Sequence, residues 1–446
     1  AGFVLTAQLR HRPAGYATTL TQVGSVSSDA VPPDEPSGPG YLERGRGLRR
    51  DSSTDRGEMT EPHDPAGVGG ITTESVVHRS SRSPEALRGA LEAWLTRTLR
   101  TGAAPEIVDV RGTSANGQSS ETILFDAEWD EDGRRSTHEL VARVAPVPHD
   151  VPVFSSYDLV LQADTIRTVA ASCAVPVPRI HHVETDAAVL GTPFFVMDRV
   201  HGLVPPDIPP YTFGDNWLHD ATAAQQDRVA SSMVEVLAEL HGIEDPAGRF
   251  AGLRPAGAGV DDLDRRIGWC RSWYEFAARD LERSPLIERA FEWLDHNRPA
   301  HPGPTVLSWG DARLGNVIWR DFEPVAVLDW EMATLGPPEL DLGWLLYAHR
   351  IFQELAHVFE LPGLPDLLRP DDVATTYEAR TGYAPRDLDF YFTFSAVQWA
   401  IIFVRVGSRQ IHFGEIARPP DVDDLLRNRE SLGAMLDGNR SRTGAP

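Results

Sequence analysis

Three oxygen-bearing side chains stand out by type and spacing: Asp311, Asn316 five residues later, and Asp329. They lie in the stretch Val306–Leu346, VLSWGDARLGNVIWRDFEPVAVLDWEMATLGPPELDLGWLL. An apolar lead-in ends at Trp309-Gly310-Asp311. Strand-like Val317–Trp319, a turn at Asp321–Pro324 and strand-like Val325–Leu328 then deliver Asp329. A hairpin of this kind carries Asn316 at the start of one strand and Asp329 at the end of its antiparallel partner. Both side chains then converge on one metal-sized spot beside Asp311. Phosphoryl transfer needs such a set. One carboxylate positions the acceptor hydroxyl and takes its proton, while an amide oxygen and a second carboxylate hold Mg²⁺ against the phosphate oxygens. A lone D-x4-N is usually a turn or a cap. The ordered series of D-x4-N, hairpin, D-W-E and D-L is poorly explained that way.

The elements that position these residues are legible on either side. SPEALRGALEAWLTRTL, from Ser83, opens on Ser-Pro and spaces Leu87, Leu91, Trp94, Leu95 and Leu99 as one helical face. Strand-like runs follow at Ile107–Val110, Thr122–Trp129 and Glu139–Val144, with a D-E-D-G turn at Asp130–Gly133, which predicts an antiparallel sheet. A helix is expected over Tyr157–Ala171, stopped by the V-P-V-P of Val175–Pro178, and a strand over Phe194–Met197. Beyond Gly202 the pattern turns helical. Val229, Met233, Val236, Leu237 and Leu240 form one stripe; Leu286, Ile287, Ala290, Phe291 and Leu294 form another. The expected fold is α+β and two-lobed: an antiparallel β-rich lobe over residues 83–201, a helical lobe over 202–435, and a flexible tail over 436–446. Residues 1–80 are rich in Gly, Pro, Ser, Thr and Arg without sustained periodicity, a disorder signature. Met59 offers a start, so part of the preceding 58 residues reads as an upstream extension, which recovery of native peptides from before Met59 would refute.

Composition narrows the chemistry. The chain has 446 residues and a formal net charge of -23, which argues against phosphate-backbone binding and so against a nucleic-acid partner. It contains no lysine, which excludes Schiff-base chemistry and a lysine phosphate clamp. Cys173 and Cys270 form no CxxC and no metal-like cluster, so a reducing cytoplasm is the simplest compartment. The most apolar run, Phe394–Val406, contains Gln398 and Arg405 and reads as a buried helix rather than a membrane span.

W-G-D-A-R-L-G-N and L-D-W-E-M-A-T-L-G-P-P-E-L-D-L resemble the aminoglycoside phosphotransferase and choline kinase group of the protein-kinase-like fold. The resemblance covers residues 105–430. Within that group the chain is similar to the kinase-like N-terminal domain of some long acyl-CoA dehydrogenases. It implies that Asp311 is the catalytic base, that Asn316 and Asp329 are the Mg²⁺ ligands, and that Asp341 braces the catalytic loop. Arg111–Ser120, RGTSANGQSS, resembles the phosphate-covering loop, with Gly117, Gln118 and Ser119 beside the phosphates of ATP or GTP. Arg143, in Val141-Ala142-Arg143, falls where the family presents a lysine, and would clamp the α- and β-phosphates. Its helix partner aligns with Gln162, and Asp164 is a second candidate. Phe194–Asp198 followed by Val200 and Gly202 resembles the hinge, with the backbone of Asp198 and Val200 facing adenine.

Two departures mark a subgroup. Trp309 stands where the family generally has His, and neutral Gln162 stands where it has Glu. The second departure motivates a rival expectation, a nucleotide-binding pseudokinase. A chance motif in an unrelated two-domain enzyme is a third. Glu331 either contacts metal-bound water or is solvated. His241 reads as structural, and His181 and His182 as part of a loop. The small-molecule hydroxyl acceptor stays open.

Overall fold

The computed structural model describes residues 84–99, 102–112, 120–147, 150–257 and 259–438. The expectations for residues 1–80, for Gly117, Gln118 and Ser119, and for most of the tail lie outside these residues.

In chain order the elements are α1 (Pro84–Thr98), β1 (Glu106–Gly112), β2 (Glu121–Glu131), β3 (Arg134–Val144), α2 (Leu159–Ser172), β4 (Ile180–Glu184) and β5 (Phe194–Asp198). There follow α3 (Ala223–His241), α4 (Pro246–Arg249), α5 (Asp262–Ala277), α6 (Pro285–Asn297), β6 (Val306–Ser308), β7 (Val317–Arg320), β8 (Glu323–Val327) and β9 (Thr334–Gly336). The last helices are α7 (Glu339–Val358), α8 (Pro370–Thr381), α9 (Leu388–His412) and α10 (Arg429–Leu436).

The first five strands form one antiparallel sheet in the order β1-β2-β3-β5-β4. Its alternation explains both of its covered faces, since successive strand side chains point to opposite sides. Ile123, Phe125, Ala127 and Trp129 of β2 join Ala142, Phe194 and Val196 under the apolar stripe of α1, Leu87, Leu91, Trp94 and Leu95. The intervening residues Val141, Phe195 and Met197 face the other way, into a core shared with Leu159, Ala163, Ile166 and Val169 of α2 and with the helical lobe.

The helical elements follow their sequence signals. α3 starts on a capping box between Thr222 and Gln225 and buries Val229, Met233, Val236, Leu237 and Leu240. α6 starts where Ser284 accepts from the Ile287 N–H and buries Ile287, Ala290, Phe291 and Leu294. α7 and α9 cross closely at Gly343, where a Cβ would lie 2.7 Å from the Tyr391 carbonyl carbon. α9 runs 25 residues, well past the apolar run that marks it in the sequence. It is long and apolar enough to cross a membrane, yet 94% of its most apolar window is buried inside the protein.

One expectation needs correction. His181 and His182 belong to strand β4, paired with β5, and not to a loop. The prolines before Ile180 hid the strand. His181 Nε2 pairs with Asp198 Oδ1, which fixes the end of β5.

Candidate active site

The site is assembled around the loop between β6 and β7. Gly310 has φ of +88°, and a Cβ there would lie 2.1 Å from the Met332 carbonyl oxygen. Only glycine fits that left-handed turn against that backbone. The turn hangs on one carboxylate. Asp341, fully buried in the first turn of α7, accepts from Ser308 Oγ at 2.8 Å, the Trp309 N–H at 2.7 Å and the Gly310 N–H at 2.8 Å. His241 Nε2 lies 3.1 Å from Asp341 Oδ2, and its other ring nitrogen 2.8 Å from the Tyr377 hydroxyl. Asp341 therefore braces the loop between β6 and β7, and His241 is part of the brace.

Trp309 links this loop to the second acidic segment. Its indole Nε1 donates to the Leu328 carbonyl at 2.9 Å and to the Asp329 carbonyl at 3.3 Å. An indole N–H donates only, and here that suffices to join the two chain segments. The turn survives with tryptophan in place of the family's histidine.

The side chain of Asp311 is 1% exposed. Its Oδ1 accepts from Trp344 Nε1 at 2.8 Å and from Arg313 Nε at 3.2 Å. Asn316 Nδ2 donates to the Asp311 carbonyl at 3.0 Å, and the Asn316 carbonyl accepts from the Leu328 N–H at 2.9 Å. Asn316 Oδ1 has no hydrogen-bond partner among the described residues. Asp329 follows the β7–β8 hairpin at φ of +60°. The structure thus brings Asp311, Asn316 and Asp329 together through one turn and one hairpin.

Arg143 of β3 crosses from the sheet to this cluster. Its Nη1 donates to Thr122 Oγ1 at 2.9 Å and its Nη2 to Asp329 Oδ1 at 3.0 Å, with Glu331 Oε2 3.9 Å away. Burial opposes ionisation of Asp329, but Arg143 and then Arg313 outweigh it and hold the carboxyl below its usual range. The expected pairing of Arg143 with Gln162 or Asp164 is not formed. Gln162 is buried on α2, and Asp164 pairs with Arg167 at 3.1 Å on the surface. Asp329 and Glu331 are simply the carboxylates within reach of the guanidinium. Glu331 is not solvated: its side chain is 2% exposed.

At the hinge the Asp198 N–H donates to Arg179 and the Arg199 N–H to Glu139, both at 3.0 Å. The backbone N–H and C=O of Val200 have no partner among the described residues. A Cβ at Gly202 would lie 2.5 Å from the Trp319 carbonyl oxygen. There the chain pairs Leu203 with Trp319, both ways at 2.8 Å. The chain at Leu203 and the β7–β8 hairpin are thus one connected piece.

Among the described residues no three His, Cys, Asp or Glu side chains gather into a metal cage. Mg²⁺ is a hard cation that prefers oxygen ligands, with phosphates and water completing its shell. Asn316 Oδ1 and Asp329 are hard-oxygen donors and fit that role.

Some of the site was not foreseen. Trp344, Arg313 and Asp207 close around Asp311, with Arg313 Nη1 2.6 Å from Asp207 Oδ2. Behind them the Tyr211 hydroxyl meets His349 Nδ1 at 2.7 Å, while His349 Nε2 faces the Leu364 carbonyl at 3.2 Å. Burial pulls the His349 imidazole down to about 4 from 6.5. The unfolded chain therefore binds the proton first. This contribution to stability is full above about pH 6.5 and drains away as pH falls towards 4, by about 3 kcal/mol in all. The expected result is that a His349→Gln variant loses less of its melting temperature between pH 7 and pH 4.5 than the parent. Equal losses on thermal scans would refute this.

A small antiparallel sheet hinged to a helical lobe, with an Asp, Asn and Asp cluster at their junction, defines a kinase-like phosphotransferase fold. Residues 119–368 match the family described as "Phosphotransferase enzyme family", and the chain belongs to it. It is 26% identical over 309 residues to acyl-CoA dehydrogenase family member 10 of Mus musculus, across 66% of this chain and 26% of that protein. It is 30% identical over 174 residues to acyl-CoA dehydrogenase family member 11 of Homo sapiens, across 38% of this chain and 20% of that protein. The chain thus spans about a quarter of the length of these relatives. A crystal structure of a candidate aminoglycoside phosphotransferase from Ralstonia eutropha JMP134 superposes with a TM-score of 0.54 at 22% identity. It covers 78% of this chain and 96% of that one. The α+β two-lobed fold expected from the sequence is the fold observed.

Proposed function

We propose that this chain transfers the γ-phosphate of ATP or GTP to a hydroxyl of a small molecule, with Mg²⁺ as cofactor. The observation that carries this reading is the meeting of Asp311, Asn316 and Asp329 at the junction of sheet and helices. The Asp311 carboxylate would orient the acceptor hydroxyl and take its proton as the new P–O bond forms. Asn316 Oδ1 and Asp329 would hold the metal, which supplies neutralisation of the phosphate charge. Arg143 would move from Asp329 towards the phosphates, where a guanidinium can bind two oxygens at once. Val200, with its backbone unpaired, would face the nucleotide base. Positioning and fixed charge then account for the catalysis.

Asp329→Ala is expected to weaken Mg·ATP binding at least about tenfold, as loss of a metal ligand does, while ATP affinity in EDTA changes little. Calorimetric titration reads both, and equal Mg·ATP affinity in variant and parent would count against Asp329 as a ligand. One observation favours the rival reading of a nucleotide-binding module: Arg143 rests on Asp329 and has no helix glutamate to return to. Thermal stabilisation by Mg·ATP with no ADP released, across a broad panel of hydroxyl acceptors, would support that rival.

A further inference from the structure

Arg313 presents an unusual edge to Asp311. It offers Nε, 3.2 Å from Oδ1 and 3.4 Å from Oδ2. An arginine left to itself would turn its fork and form two parallel bonds with the carboxylate. What prevents this is Asp207, in the chain between the hinge and α3. Its Oδ2 takes Arg313 Nη1 at 2.6 Å, with side chains 12% and 6% exposed respectively.

Gly315 is shaped to this pair, since a Cβ there would lie 2.6 Å from Arg313 Nη1 and 2.7 Å from Asp207 Oδ1. A side chain at position 315 would thus displace Asp207 or Arg313 from this arrangement. We propose that Asp207 is a positioning residue for phosphoryl transfer: it holds Arg313 side-on to Asp311, so that the base is oriented but not locked in a bidentate ion pair. The inference rests on the phosphotransferase reading above.

Three charges stand in a row, carboxylate, guanidinium, carboxylate. Burial opposes the charge on Arg313, and Asp207 and Asp311 together outweigh burial and hold it protonated. Removing the Asp207 charge takes away the acceptor that holds Arg313 Nη1 in a buried site. The guanidinium then closes on Asp311 with two nitrogens where Nε alone now spans both oxygens, and that bidentate pair competes with the acceptor hydroxyl for the carboxylate. The consequence falls on turnover. Nucleotide binding depends on Asn316, Asp329 and the hinge, and is spared.

The test uses the full chain with Mg·ATP as probe and water as acceptor. Three quantities are read: ADP release at saturating nucleotide, Mg·ATP affinity and the melting temperature. Asp207→Asn is expected to lower turnover at least about tenfold, with affinity within about twofold of the parent. Arg313→Met, which keeps the stem and removes the fork, is expected to lower turnover by at least as much; its affinity is no control, because Arg313 also bears on Asp329. The double variant should be no slower than the slower single one, because the two residues act as one unit. Multiplying losses, or an Asp207→Asn variant with more than half the parental turnover, would overturn the inference. A parent chain that neither binds Mg·ATP nor releases ADP overturns the phosphotransferase reading and this inference with it. The two failures are therefore distinguishable: one appears in the parent, the other only in the variants.

Discussion

Asp311→Asn is expected to lower phosphate transfer about a thousandfold while leaving Mg·ATP affinity nearly unchanged. The substitution preserves shape. An asparagine oxygen can still accept from Trp344 Nε1, now 2.8 Å from Asp311 Oδ1, and the backbone carbonyl still accepts from Asn316 Nδ2 at 3.0 Å. What disappears is the group that takes the acceptor proton. Loss of turnover at constant affinity therefore isolates the base from the metal site. Two controls sharpen the result: the melting temperature reads what loss of the buried Asp311–Arg313 pair costs, and Asp329→Ala should show the opposite balance. Near-parental turnover in Asp311→Asn would remove the base from the account.

Asp341→Ala is expected to cost about 4 kcal/mol of stability, lower the melting temperature by about 10 °C and abolish turnover. The reason is local and countable. Asp341 is fully buried and takes the Ser308 hydroxyl and the N–H groups of Trp309 and Gly310. A methyl group at this position leaves those donors buried without an acceptor, at about 1–3 kcal/mol each before relaxation. Gly310, already at φ of +88°, then has nothing to hold its turn, and Asp311 is the next residue. Differential scanning calorimetry beside an ADP-release assay checks both halves. A stable, active Asp341→Ala protein would mean that the loop keeps its shape by packing alone.

Much of this was readable before any coordinates, and the reasons differ by element. The stripe of α3 and the face of α1 show because apolar periodicity is a local property of a helix. The β7–β8 hairpin shows because Asp321–Pro324 punctuates two short apolar runs, and it delivers Asp329 beside Asn316. The family resemblance implies a brace at Asp341, and its bonds are of that kind. β4 escaped because polar, histidine-bearing Ile180–Glu184 follows a proline pair and lacks clean alternation.

Arg143 meets Asp329 rather than a residue of α2, for a different reason. Family correspondence pointed to a helix position, but Gln162 carries no charge, and Asp329 does. Long-range contacts were the least legible. Asp207 lies 106 residues from Arg313, and Trp344 lies 33 residues from Asp311. Nothing in a single sequence marks residues that meet only after the hinge folds against β7 and α7 packs behind the catalytic loop. One hint was present: Gly315, between Arg313 and Asn316, signals a close approach whose partner the sequence does not name.

The central claim is that the oxygens of Asn316 and Asp329 hold a metal ion against the phosphates of a bound nucleotide, within reach of Asp311. Calorimetric titration of the full chain with ATP, once with Mg²⁺ and once with EDTA, tests it most directly. The account predicts at least about tenfold tighter binding with Mg²⁺, about 1.4 kcal/mol, and loss of that difference in Asp329→Ala. Equal affinity with and without the metal in the parent chain would contradict it.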